Sequence, residues 1–314
     1  DYIAEYTGQI RAWFYVLHVI GASLYQSPAF KNVSVTGVIL GSDGRKMSKN
    51  YGNFPDPQMM LKTYGGDALR LYLMGSPVMK GEDILISEDQ YKMQVRGTLL
   101  ILWNVYNFFV SYSNVDRWQP TRHKPQATSQ NILDRWILSL TNRLTIGVTD
   151  TLDSYDTFSA ITNIQDFVNN LSTWYIRRSR DRVGPSAESE EDKQLFYSSC
   201  FHVLSSLSKL FAPIVPFISE EIFQNLTSKE SVHLTDWPKP HKEMIDKNLE
   251  QKMHDGMEVA SVILARRKEA RIPVRIPLKN LSYSGPRALS NEVFKIVSEE
   301  INVQELPYKG KSNS

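Results

Sequence analysis

Lys46 and Lys49 stand three residues apart with Ser48 between them, in the stretch GVILGSDGRKMSKNYGNFPDP that runs from Gly37 to Pro57. An ammonium is a compact, strong point charge for phosphate oxygens, and a serine hydroxyl adds a donor beside it. Two such charges on one loop stabilise the charge that develops when a phosphate is attacked and pyrophosphate leaves. Gly41 and Gly44, just ahead, allow the backbone to come close to a ligand. A lysine-rich surface loop after a Ser-Asp-Gly turn would carry the same residues. Placement separates the two readings. The β-branched run NVSVTGVIL reads as a strand before the loop, and Asp56 with Pro57 supplies an N-cap and a first helical residue after it. Strand, loop and capped helix predict a nucleotide-triphosphate loop. No G-x-x-x-x-G-K-[ST] run is present, so a P-loop nucleotidase is excluded.

The elements that must position this loop fall into three units. Residues 1 to about 90 mix strand and helix, with a helical stripe at Ile10, Trp13, Phe14, Leu17 and Ile20, and suggest an α/β layer. Residues 91 to 243 carry apolar residues at three- and four-residue spacings in segment after segment, which predicts a helical bundle. From Met244 another helix leads into a small α/β piece, and the end KGKSNS reads as disordered.

The 314 residues, 41% hydrophobic and 22% charged, have the composition of an ordinary soluble protein. One cysteine, Cys200, excludes a disulfide framework, and six scattered histidines give a zinc ion no ligand cluster. The expected setting is reducing and cytoplasmic. The apolar run from Trp13 to Tyr25 is shorter than the ~20 residues a membrane span needs and has no leader or cleavage site. The chain opens on Asp1, already inside a strand-like run, and reads as a piece of something longer.

A net charge of +2 does not announce a nucleic-acid binder, but its distribution is uneven. Arg177, Arg178, Arg180 and Arg182 crowd one segment beside Trp174 and Tyr175, and Arg266, Arg267, Lys268, Arg271 and Arg275 crowd another. Interleaved aromatics and arginines suit unpaired bases and phosphates. Trp174 as a core anchor, with the arginines solvated, is the other reading, and the second cluster stays open between tRNA contact and plain surface.

KMSKN resembles the Lys-Met-Ser-Lys-Ser signature of the class I aminoacyl-tRNA synthetases. Its flanks EYTGQIRAWFY, YGGDALRLYLMGSPV, DRWILSL, LSTWYIRR, LFAPIVPFISEEIFQNL, SVHLTDWP and RIPVRIPL resemble the C-terminal part of the isoleucyl-tRNA synthetase family over nearly the whole chain. The resemblance implies a Rossmann-type catalytic end at 1–55 with its loop and a stem-contact segment at 56–90. It further implies an anticodon-binding bundle at 91–243 and the start of a C-terminal appendage at 244–314. Lys46, Ser48 and Lys49 would then be catalytic. Glu5, Gln9, Gly41 and Met47 would bind ATP or the adenylate, Trp13 and Gln9 would line the amino-acid pocket, and Trp174, Arg177, Arg178, Arg180 and Arg182 would contact tRNA(Ile). ATP and Mg2+ are the implied cofactors, without zinc, in a monomer that engages no membrane.

Two departures stand out. The family usually reads Glu-Gly-x-Asp-Gln where this chain has Glu5, Tyr6, Thr7, Gly8 and Gln9; Tyr6 replaces a glycine, and the carboxylate at residue 8 is gone. Asn50 takes the place of the last signature serine. No His-x-Gly-His is present and the editing insertion is missing, so the expected chain holds half of an active site and makes no adenylate alone. The alternatives are a valyl- or leucyl-tRNA synthetase piece and a non-catalytic tRNA-binding module. RAWFY and STWYIRR favour isoleucine over the first, and the retained lysines argue against the second.

Overall fold

The computed structural model describes residues 2–48, 50–120, 129–185, 187–285 and 287–310. It opens with β1 (Tyr2–Tyr6), which leads through a one-turn 3-10 segment into α1 (Trp13–Tyr25) and then β2 (Asn32–Thr36). β1 and β2 pair in parallel, Tyr2 against Asn32 through Tyr6 against Thr36, as a strand–helix–strand crossover requires. The apolar stripe meets only part of a core: Phe14 is buried and Leu17 half-buried, while Ile10, Trp13 and Ile20 are exposed.

A short β3 (Ile39–Leu40) precedes the lysine loop, and α2 (Pro57–Met74) follows it. The Asp56 carboxylate accepts from the Gln58 N–H at 2.8 Å, the cap that the sequence predicts. At Gly65 the backbone leaves helical geometry (φ 81), and the helix resumes at Gly66 on a new axis. The chain then returns to pair β4 (Ile84–Leu85) in parallel with β3, so residues beyond α2 complete the sheet that carries the loop.

The bundle begins with α3 (Glu88–Gln94), which passes through a π-turn at Val95–Leu99 into α4 (Leu100–Val115). It continues with α5 (Ile132–Asp153), α6 (Thr157–Asn170), α7 (Glu190–Phe211) and α8 (Pro216–Thr227). Trp136, Tyr175, Tyr197, Phe196 and Phe211 are fully buried at its centre. α9 (Lys247–Glu269) packs on α5 and carries the last piece, β5 (Leu278–Asn280), α10 (Asn291–Ile301) and β6 (Val303–Glu305), with β5 and β6 parallel. Among the described residues no helix is long and apolar enough to cross a membrane.

One polar group lies at the heart of this apolar mass. Asp134 is fully buried, and Arg182 holds it with two hydrogen bonds of 2.8 and 2.7 Å; Tyr175 donates to it at 2.8 Å and Ser129 at 2.8 Å. Arg182 also binds Asp192 on α7 through Nε at 2.7 Å. A buried charge pair of this kind costs desolvation, and removing one partner strands the other. Replacing Arg182 by alanine is expected to cost about 3–5 kcal/mol of stability, whereas Arg180→Ala should stay within about 0.5 kcal/mol. Chemical denaturation checks both; equal small losses would show that the network contributes little. Burial also pushes the Cys200 thiol well above its ordinary range, so a thiol reagent at pH 8 should modify the chain only after unfolding, read by mass.

Candidate functional site

The loop between β3 and α2 is held from inside by a side chain that the sequence reading does not single out. Asn53 is buried, and its amide reaches three ways. Its Nδ2 donates to Asp43 at 2.8 Å and to the Lys46 carbonyl at 3.4 Å, while its Oδ1 accepts from the Ser48 N–H at 3.0 Å. The Asn53 carbonyl accepts from Ser42 N–H, and Gly41 N–H donates to the Arg45 carbonyl. Gly41 must be glycine here, because a methyl group on it would stand 2.5 Å from Asn53 Nδ2. The tight chain reversal also uses Gly44 at φ 77. The hydrogen bond from Asn53, followed by one from the Arg45 amide, holds the Asp43 carboxyl below its ordinary 3.8.

On this frame Lys46 is exposed, and Met47 and Ser48 are half-buried. Ser48 uses its hydroxyl to accept from Asn50 N–H at 3.2 Å. Lys49 lies outside the described residues. The Lys46 ammonium sits 5.6 Å from the centre of the Tyr6 ring, which brings the loop against the end of β1. Glu5 precedes Tyr6 at that end of β1, and Gln9 and Trp13 follow on the segment that leads into α1. Glu5 is exposed, and its carboxylate accepts from the Tyr6 N–H at 3.3 Å. Thr7–Gln9 form a 3-10 turn and α1 begins only at Trp13, so Gln9 and Trp13 do not lie on one face of a single helix. Instead the Gln9 side chain accepts from the Trp13 N–H at 3.3 Å and caps α1. Trp13 is 47% exposed.

The loop is tied to the bundle through α2. The Asp67 carboxylate accepts from Phe217 N–H at 3.2 Å and Ile218 N–H at 2.7 Å, at the start of α8. Arg70 donates to the Pro213 and Ile214 carbonyls at 2.8 Å each. A carboxylate at a helix N-terminus and a guanidinium on the preceding turn's carbonyls satisfy backbone groups that the bundle alone leaves open. Burial pushes the Asp67 carboxyl up, against the pull of the two amide donors.

The arginine cluster divides. Trp174 packs half-buried against the bundle core, so its core-anchor reading describes most of its surface. Arg177 pairs with Glu300 at 2.9 Å; Arg178 pairs with Glu299 and Glu300 at 3.1 Å each, both carboxylates on α10. Arg180 is exposed, and its side chain has no partner among the described residues. Arg182 corrects the expectation of a surface contact: all three of its nitrogens are engaged by Asp134, Asp192 and Ser179, because it neutralises a buried carboxylate. In the second cluster, Arg267 is likewise internal and donates to the Pro273, Ile276 and Asn302 carbonyls.

Comparison with known proteins gives two family matches. Residues 1–85 match the family described as tRNA synthetases class I (I, L, M and V), and residues 134–282 match the anticodon-binding domain of tRNA ligase. An isoleucine–tRNA ligase of Protochlamydia amoebophila is 41% identical over 317 residues, covering 98% of this chain and 30% of that protein. Those of Chlamydia trachomatis serovar L2 and Treponema denticola are 40% and 37% identical, covering 98% and 100% of the chain and again 30% of each relative. The chain thus spans about 30% of the length of these relatives. Among solved structures, the LeuRS of Agrobacterium radiobacter K84, in a ternary complex with tRNA and LeuAMS, superposes with a TM-score of 0.57. Identity there is 20%, over 78% of this chain and 29% of that one, a likeness of fold.

Asn53→Ala is expected to strip the protection of the Ser48 amide in hydrogen exchange and to cost about 1–3 kcal/mol locally. Because the Asp43 carboxyl is depressed, its share of loop order is complete above pH 3.8 and is lost as pH falls through the lower folded value. The variant should lose that acid sensitivity. Unchanged protection would show the loop is held by something other than Asn53.

Proposed function

We propose, from the premise that this chain belongs to the class I tRNA synthetases, that its whole protein is an isoleucine–tRNA ligase. The carboxylate of isoleucine attacks the α-phosphate of ATP, pyrophosphate leaves, and a ribose hydroxyl of tRNA(Ile) then takes the acyl group from the adenylate. Lys46, Ser48 and Lys49 stabilise the charge on the phosphates as the P–O bond to pyrophosphate breaks. Gly41 and Met47 shape the loop around the nucleotide, Glu5 and Gln9 contact the adenylate, and Trp13 with Gln9 lines the amino-acid pocket. Mg2+ bound with the nucleotide would supply further charge neutralisation on the phosphates, beside Lys46 and Lys49.

We assign residues 56–90 to contact with the tRNA stem and the bundle to the anticodon, with Trp174, Arg177, Arg178 and Arg180 facing RNA. The protein works as a cytoplasmic monomer. The observation that carries the reading is the direct tie between the two functional parts, Asp67 and Arg70 on the helix after the lysine loop gripping the start of α8.

Titrating this chain with tRNA transcripts for isoleucine, valine and leucine across salt concentrations tests the assignment. The isoleucine tRNA should bind most tightly, and Arg177→Ala with Arg178→Ala should reduce the log–log salt slope by about one for each phosphate that goes unneutralised. Equal binding to all three transcripts would favour a non-specific RNA module. In the longer protein, Lys46→Ala should slow isoleucine-dependent pyrophosphate exchange by roughly 100-fold or more; a preference for valine or leucine in that assay would move the assignment to those branches.

A further inference from the structure

Tyr6 and Gly8 depart together from the family's usual pattern, and the structure shows that the two positions compete for one space. The Tyr6 ring folds back over Gly8. A methyl group on Gly8 would stand 2.5 Å from Cζ and 2.6 Å from Oη of Tyr6, closer than real Cβ contacts come. The ring is the end of a rotatable side chain and could swing aside, but its present position has a use. Its centre lies 5.6 Å from the Lys46 ammonium, within the range where a ring face attracts a cation. Among the described residues, the Lys46 side chain has no hydrogen-bond or ion-pair partner beyond this ring. The ring is attached one residue from Glu5, at the end of β1, and β1 is fixed by its five-residue register with β2.

We propose that Tyr6 is a positioning residue for the nucleotide loop: its ring seats the Lys46 ammonium at the end of β1, and Gly8 leaves the space that lets the ring lie there. This rests on the ligase reading and adds to it a residue that works through Lys46 rather than on the phosphates. A lysine on an exposed loop spreads over many rotamers, and ordering it costs entropy when nucleotide binds. An aromatic seat removes part of that cost beforehand. At an exposed site the attraction corresponds to about a two- to five-fold effect.

The test is a double-mutant cycle on pyrophosphate exchange in the longer protein, with thermal unfolding of each variant recorded alongside. Tyr6→Ala should raise the KM for ATP about two- to five-fold, Tyr6→Phe should retain wild-type behaviour because it keeps the ring face, and Gly8→Ala should match Tyr6→Ala by displacing the ring. The two alanine changes together should be no worse than either alone. Additive losses, or a Tyr6→Phe loss equal to that of Tyr6→Ala, would overturn the proposal. A second measurement does not depend on activity. In the 314-residue chain with labelled lysine, the Tyr6 ring current should shift the Lys46 Cε proton resonances upfield, and both Tyr6→Ala and Gly8→Ala should abolish the shift. Resonances unmoved by either change overturn the seat. Absence of exchange in the unaltered protein, with the ring-current result intact, counts against the ligase reading alone.

Discussion

A charge buried where no water reaches it sets the terms for the bundle. Asp134 has no exposed surface, and every oxygen it has is answered: two nitrogens of Arg182, the hydroxyl of Tyr175 and the hydroxyl of Ser129. Ser129 lies in the loop before α5, Tyr175 in a π-turn (Leu171–Ile176) that continues α6, and Arg182 in a 3-10 turn (Arg180–Arg182) beyond it, while Asp192 brings in the first turn of α7. Apolar packing would tolerate small rotations among these helices, since many arrangements bury similar area. A carboxylate and a guanidinium with fixed fork geometry do not, because each broken hydrogen bond leaves a desolvated charge. The network therefore fixes how the helices are turned about their axes, and with it which side chains reach the surface.

From that fixed frame the geometry passes outward to the loop. α8 begins at a proline and presents free amides to Asp67; the turn before it presents carbonyls to Arg70. Both side chains lie on the half of α2 beyond the kink at Gly65. The half nearer the lysines joins through that bend, through the cluster of Met60, Tyr72 and Tyr91, and through Tyr64, which donates to Glu88 at 2.6 Å and packs against the bundle core. The loop thus sits at the end of a jointed arm whose far segment is part of the bundle.

How much of this could be read from the residues differs by region. Asp56 capping α2 and the β-branched run ahead of the loop, which folds as β2 and β3, followed from local chemistry, since an N-cap and a β-branched run act within a few residues; the parallel partner β4, more than forty residues on, did not. The lysine loop was legible because its spacing is unusual. Asn53 was not, since an asparagine after a glycine reads as turn filler until its amide is seen facing Asp43, Lys46 and Ser48. Arg182 was misread for a related reason: within a run of arginines nothing local marks the one whose partner is far away in sequence. The helical stripe around α1 was legible as a pattern, yet Ile10, Trp13 and Ile20 are exposed, so periodicity shows that a face is apolar without showing what covers it.

The carboxylates of α10 bear on what the surface arginines bring to any encounter. Glu299 and Glu300 already hold Arg177 and Arg178, with Glu300 almost fully buried. A guanidinium so held has given up rotamer freedom and part of its hydration in the folded state. An incoming anion would then meet two arginines already paired with tethered carboxylates, and it would share them with α10 rather than find free charge. Selectivity at such a site comes from shape, in how well the newcomer matches an outline that α10 has already drawn.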